Sequence, residues 1–149
     1  MLNPAIPPSP NMIDYSFITT PKPADMERIV ELYRDAGWWE DTTDSASLVE
    51  KIVTGSHCFL TGRQNGAIIA MGRAISDKAS DAYIQDVTVD KAYRGKGIGS
   101  RIVALLTQRL EVDGIGWIGL IAERNTHTFY RSLGFSPMAD AMPMRKTNE

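Results

Sequence analysis

The stretch Arg94-Gly95-Lys96-Gly97-Ile98-Gly99 puts three glycines and two cations ahead of an amphipathic segment. Glycine leaves main-chain amides uncovered, so an anion can approach them closely. A helix start adds unpaired N–H groups and a partial positive charge of roughly +0.5. Together with the formal charges of Arg94 and Lys96, such a turn suits a pyrophosphate. A merely flexible turn would need neither the cations nor the helix start. A nucleotide P-loop needs a hydroxyl residue after its Gly-Lys pair, and Lys96 is followed by Gly97. A dinucleotide fingerprint needs Gly-x-Gly-x-x-Gly. Counted from Gly95 the third glycine comes one residue early, and counted from Gly97 the required position is Ile102.

Other chemistries are poorly supplied. Two histidines and one cysteine, Cys58, make a thin metal inventory and allow no intrachain disulfide. Sixteen Lys and Arg against eighteen Asp and Glu leave a net charge of −2, without the basic excess of a nucleic-acid binder. No apolar run approaches the ~20 residues needed to span a bilayer, and Met1 to Pro10 lacks the features of a secretory signal. The expectation is a cytoplasmic protein with no metal, no nucleic-acid partner and no membrane contact.

The elements that must position the turn are legible from periodicity. Residues 1–12 read as a flexible proline-rich tail carrying Pro4, Pro7, Pro8 and Pro10, and residues 13–149 as a single domain. Ile13 to Thr19 alternates as a strand. Pro21 and Pro23 open a helix with Met26, Ile29 and Tyr33 at helical spacing, ended by Gly37. Trp38 to Thr43 is irregular, and a short helix follows from Ser45 to Val53. Cys58 to Thr61 and Gly66 to Ile75 read as a hairpin around Arg63-Gln64-Asn65-Gly66. Ala82 to Val89 is a strand. Ile98 to Val112 is the clearest amphipathic helix, with Ile102, Leu105, Leu106 and Leu110 on one face. Ile115 to Ala122 reads as a buried strand and Thr126 to Leu133 as a helix stopped by Gly134. One or two late edge strands are expected from Phe135, limited by Pro137 and Pro143.

The glycine turn fits the pattern Arg/Gln-x-x-Gly-x-Gly/Ala through Arg94, Gly97 and Gly99. With the preceding Asp86-Val87-Thr88-Val89-Asp90-Lys91-Ala92-Tyr93 it resembles the strand-four-to-helix-three signature of the GNAT superfamily of N-acetyltransferases. Phe129-Tyr130-Arg131-Ser132-Leu133-Gly134-Phe135 is similar to that family's Phe/Leu-Tyr-x-x-x-Gly-Phe motif. The order of elements from Ile13 to Arg145 fits as well. The resemblance implies a mixed α/β (α+β) fold. A central, mostly antiparallel mixed sheet of about six to seven strands would carry about four helices, with strands four and five splayed.

What the resemblance implies for function follows residue by residue. Acetyl-coenzyme A would be the co-substrate, its pantetheine arm pairing with the main chain of Val87, Thr88 and Val89 against a wall from Ile118 to Ile121. Its phosphates would meet amides of Arg94, Gly95, Lys96, Gly97, Ile98, Gly99 and Ser100. Tyr130 would sit by the leaving sulfur. A reference thiol pKa of ~8.5 and phenol of ~10 make full proton transfer uphill by roughly 2 kcal/mol, so Tyr130 is expected to stabilise the thiolate by hydrogen bonding. Where many relatives carry an asparagine contacting the coenzyme, this chain has Glu123, so that role does not carry over. Asn125, five residues before Tyr130, is near enough to contact the coenzyme by another geometry.

A primary amine with a pKa of ~10.4 costs about 4–5 kcal/mol to deprotonate at neutral pH, and Asp86 and Glu123 are the candidate bases. Trp38, Trp39 and Glu40 are candidates for the acceptor pocket, through cation–π and charge contacts or as ordinary packing. The expected reaction is direct acetylation of a primary amine on a small molecule. A non-catalytic coenzyme A-binding sensor, or an acetyltransferase acting on protein N-termini or lysines, stands as the alternative. Many relatives are dimers, so a homodimer is a further expectation.

Overall fold

The computed structural model of the protein describes residues 12–41 and 45–148. The elements run β1 (Asp14–Ile18), α1 (Pro23–Asp35), α2 (Ala46–Gly55), β2 (Cys58–Gln64), β3 (Ala67–Ser76), β4 (Asp81–Val89), α3 (Ile98–Val112), β5 (Trp117–Leu120) and α4 (His127–Arg131). A 3-10 turn, Lys91–Tyr93, joins β4 to the glycine turn. The expected proline-rich tail falls outside the described residues except for Met12, as do Thr42 and Thr43. No helix among the described residues is long and apolar enough to cross a membrane.

The five strands lie in sequence order in one mixed sheet, antiparallel from β1 to β4 and parallel between β4 and β5. The mixed α/β architecture agrees with the expectation, but the strand number corrects the roughly six to seven anticipated. Residues 135–148 form neither strand nor helix. Pro137 and Pro143 remove two ladder donors, and Met138, Met142 and Met144 are all exposed, so no buried face holds a strand in register.

Alternation along the inner strands supplies both faces of the sheet. Phe59, Ile68 and Met71 face α1 and α2, packing with Ile29, Leu32 and Val49. Leu60, Ile69 and Ile84 face α3, packing with Ile102, Leu106 and Leu110. Each such side chain contributes about 1.5–3 kcal/mol when fully buried. Gly72 sets how closely α3 approaches, because a Cβ there would lie 2.7 Å from Ile102 Cγ2 and 2.9 Å from Leu106 Cδ1.

Two irregularities shape the functional end. The β3–β4 register passes from Met71↔Thr88 to Arg73↔Gln85, so Gly72 alone opposes Asp86 and Val87. Asp86 takes φ +58 at this bulge, and bulges bend and twist a strand. Pairing of β4 with β5 ends at Ile84↔Leu120, while β4 runs on to Val89. The two strands therefore part, as expected. β5 is shorter than the Ile115 to Ala122 anticipated, and the positive φ of Arg124 and Asn125 turns the chain shortly after it. Glu123 consequently sits on a turn beyond β5, not on a strand.

Candidate active site

The glycine turn is open. Gly95 and Gly97 adopt φ +78 and +79, a left-handed region that residues with a Cβ disfavour, and Gly97 caps the start of α3. A Cβ built at either position meets nothing within 4 Å beyond its chain neighbours, so there is open space on that side of both residues. The entry to the turn is fixed from below. Asp90 accepts a hydrogen bond from Ala92 N at 2.8 Å and is paired with Arg28 of α1. The amide bond first, then Arg28, hold the Asp90 carboxyl below its usual range. Arg94 Nε donates to Val89 O at 3.1 Å, and Lys96 Nζ lies 5.6 Å from the centre of the Tyr93 ring.

A cavity of about 690 Å³ is lined by this turn, by β4 and by Tyr130. Its walls include Val87, Thr88, Val89, Arg94, Gly95, Gly97, Ile98, Gly99 and Ser100, and also Asp86, Glu123, Tyr130 and Trp38. Lys96, Asn125, Trp39 and Glu40 do not line it. Asp90 N donates to Ile69 O. Since N–H and C=O groups alternate sides along an antiparallel strand, Val89 and Val87 turn theirs away from β3, into the gap left by β5. An extended amide-bearing ligand can occupy that edge as a strand would. Among the expected wall from Ile118 to Ile121, Ile121 borders the cavity and is 58% exposed, whereas Ile118 and Leu120 pack toward the α3 core.

Tyr130 is held edge-on between Phe129 and Phe135, with ring centres 4.9 and 6.2 Å away. Packing and cavity lining coexist in this one residue. Burial pushes its phenol above the usual value, and the charge of Glu123 pushes in the same direction. The phenol therefore stays protonated at neutral pH, suited to donate a hydrogen bond. Glu123 faces the same volume with its carboxylate in electrostatic reach of Tyr130.

Asp86 is engaged differently. Its Oδ2 accepts hydrogen bonds from Tyr33 Oη at 2.7 Å and Arg73 Nε at 2.6 Å. Burial and the Asp86 charge raise the Tyr33 phenol strongly. Trp39 stacks on Tyr33 with centroids 4.2 Å apart and 6° between planes, backing this cluster instead of lining the cavity. Trp38, 37% exposed, meets Tyr33 edge-on and does border the cavity.

Tyr33, Arg73, Tyr93 and Arg124 are the functional-end residues that the sequence reading passed over. Arg73 carried a signal, a charged residue inside the apolar run Ile68 to Ile75. Arg124 carried none, because its orientation follows from a left-handed backbone. His57 lies away from the cavity. Its ring nitrogens contact Ser76 Oγ at 2.6 Å and Asp113 Oδ2 at 2.8 Å, tying the hairpin to the end of α3. Among the described residues, no group of His, Cys, Asp and Glu side chains could hold a metal ion.

Comparison with known proteins bears on what an open glycine turn, a split sheet and a half-buried tyrosine are for. "Histone acetyltransferase TAP1" from Glycine max is 42% identical over 74 residues, 50% of this chain and 32% of its own length. "GCN5-related N-acetyltransferase 2, chloroplastic" from Arabidopsis thaliana is 42% identical over 73 residues, 49% of this chain and 28% of its own. The chain thus spans about a third of the length of these relatives. A solved structure from meticillin-resistant Staphylococcus aureus, described as a protein of unknown function and probable acetyltransferase, shares the fold. Its TM-score is 0.76 at 24% identity, over 91% of this chain and 99% of that one. The profile of the Acetyltransferase (GNAT) family matches residues 26–135, from within α1 through the Tyr130 motif. The chain belongs to the acetyltransferase (GNAT) family.

Proposed function

We propose that this protein transfers an acetyl group from acetyl-coenzyme A to a primary amine of a small molecule by direct attack. The observation that carries the reading is one cavity lined by Gly95 and Gly97 of the turn, by Val87 and Val89 of β4 and by Tyr130. Diphosphate, pantetheine amides and thioester have a matching partner in each of these three parts of the lining. The turn supplies main-chain donors, and the β4 edge supplies peptide-like pairing.

Chemically, the amine nitrogen attacks the thioester carbonyl, a C–N bond forms and the C–S bond breaks. Glu123 accepts the amine proton, directly or through water, and Tyr130 donates a hydrogen bond to the departing sulfur. Because the Tyr130 phenol is raised, giving up its proton outright is harder than the roughly 2 kcal/mol of the reference groups. Its role is to stabilise the thiolate, which takes its proton from solvent. Asp86 is the weaker candidate for base, since Arg73 and Tyr33 already occupy Oδ2. It positions the bulge that parts β4 from β5. Cys58 supports the direct route: it is buried against α3, does not line the cavity, and burial pushes its thiol to about 11.

A second reading is favoured by the names of the relatives, one of which is a histone acetyltransferase: the acceptor would be a protein lysine. The cytoplasm is the compartment we propose, with a plastid as the alternative that the Arabidopsis relative's name raises. A thiol-release screen with acetyl-coenzyme A against small amines and lysine peptides separates the readings. Release with small amines supports the proposal, release with peptides alone supports the second reading, and tight binding without release favours a sensor.

A further inference from the structure

Arg124 lines the same cavity as the glycine turn. It follows Glu123 directly and holds φ +53, with Asn125 at +62, so two successive non-glycine residues take a left-handed backbone. This turn sends the Arg124 side chain toward the end of α1. A Cβ built on Gly37 would lie 3.2 Å from Arg124 Nη2, and Gly37 immediately precedes Trp38. Ala36 and Trp38 line the same cavity.

The other arginines bordering this region are engaged. Arg73 is paired with Asp86, and Arg94 donates to Val89 O. Among the described residues, Arg124 makes no ion pair and no side-chain hydrogen bond, although it is adjacent in sequence to Glu123. Arg124 is exposed and shares the cavity lining with Trp38, and a guanidinium with no protein partner can bind anionic oxygens through two parallel N–H groups.

Resting on the acetyl-transfer reading above, we propose that Arg124 selects the acceptor, and that the acceptor is a compact amine also bearing a carboxylate or phosphate. Its amine faces Glu123 and Tyr130, its anionic oxygens meet Arg124, and Trp38 covers the stem between. A lysine side chain in a protein lacks the second group, so this inference also separates the small-molecule reading from its rival.

The test uses matched acceptors that differ in the anion: β-alanine against β-alaninamide, and 2-aminoethyl phosphate against ethanolamine. Rates are compared per deprotonated amine from full pH profiles. The expected result is a kcat/KM at least tenfold higher for one or both anionic members. Arg124→Met should reduce that anionic-to-neutral ratio at least tenfold, mostly through KM of the acceptor, and Arg124→Lys should restore part of it. Preference for the carboxylate or the phosphate member identifies which anion is recognised. Equal rates for charged and neutral members, or an unchanged ratio in Arg124→Met, would overturn the inference while leaving acetyl transfer intact. Absence of thiol release with every amine would remove the acetyl-transfer reading and the Arg124 assignment together.

Discussion

Arg73 Nε lies 2.6 Å from Asp86 Oδ2, across the bulge where one residue of β3 opposes two of β4. Tyr33 donates to the same oxygen from α1. One carboxylate thus joins helix, strand and bulge at the point where the sheet opens, which distinguishes it from Glu123, the proposed base. Asp86→Asn should leave Arg73 without a matched charge and lower stability by roughly 1–3 kcal/mol. Glu123→Gln should change melting temperature little and lower kcat/KM by about 10²-fold at neutral pH. If Asp86→Asn keeps the melting temperature and abolishes turnover, the two assignments must be exchanged.

Tyr130→Phe should keep the edge-on packing with Phe129 and Phe135, since only the hydroxyl is lost. A fall in kcat of about 10²-fold, with KM for acetyl-coenzyme A nearly constant, is expected from losing one donor to a developing anion. Because burial raises the phenol, the wild-type rate should climb with deprotonation of the amine and show no descending limb below pH 10 from Tyr130. A limb near neutrality that disappears in Tyr130→Phe would contradict this.

Two of the glycines that face packed side chains, Gly99 and Gly72, should behave differently. A Cβ on Gly99 meets Phe129 Cζ and Val89 Cγ2 at 3.6 Å, ordinary contacts, so Gly99→Ala should be near neutral. A Cβ on Gly72 presses on Ile102 and Leu106 at 2.7 and 2.9 Å. Gly72→Ala should cost roughly 1–3 kcal/mol by overpacking, seen as a melting temperature lowered by several degrees. Equal melting temperatures for the two variants would mean that α3 shifts freely on the sheet.

Acid should weaken the anchor of α1. Asp25 is bound by Arg63 through both oxygens at 2.8 and 2.9 Å, and those hydrogen bonds chiefly lower its carboxyl below the usual value. A depressed folded value contributes stability above the unfolded value of ~3.9 and loses it as pH falls through the folded one. Asp25→Asn should therefore destabilise the protein at pH 7 by roughly 1–3 kcal/mol, and the difference from wild type should shrink below pH 4. Chemical denaturation at pH 7 and pH 3 measures both; a constant difference would show that the pair contributes nothing through charge.

Much of this end of the molecule could be read from residue order. The glycines and cations of residues 94–99 name an anion turn because their chemistry is local, and the helix behind it has an unbroken apolar face. Tyr130 was legible through its motif. Arg124 and the Tyr33–Asp86–Arg73 cluster were not, since they depend on a left-handed turn and a bulge that bring distant segments together. The late strands failed for a related reason. Phe135 to Met144 holds apolar residues, but strand formation needs a face to bury them, and periodicity alone does not reveal whether one is there.

The central claim is that the amides at Gly95 and Gly97 bind the diphosphate of acetyl-coenzyme A. Calorimetric titration of acetyl-coenzyme A into the wild type and into Gly97→Val tests it most directly. The turn has open space around Gly97, so the branched side chain meets no packed protein atom, while the φ of +79 strains the turn and makes the fold check part of the test. Saturable binding by the wild type, weakened at least tenfold in a Gly97→Val variant that remains folded by circular dichroism, is the predicted result. Equal affinity in the two folded proteins would contradict the account.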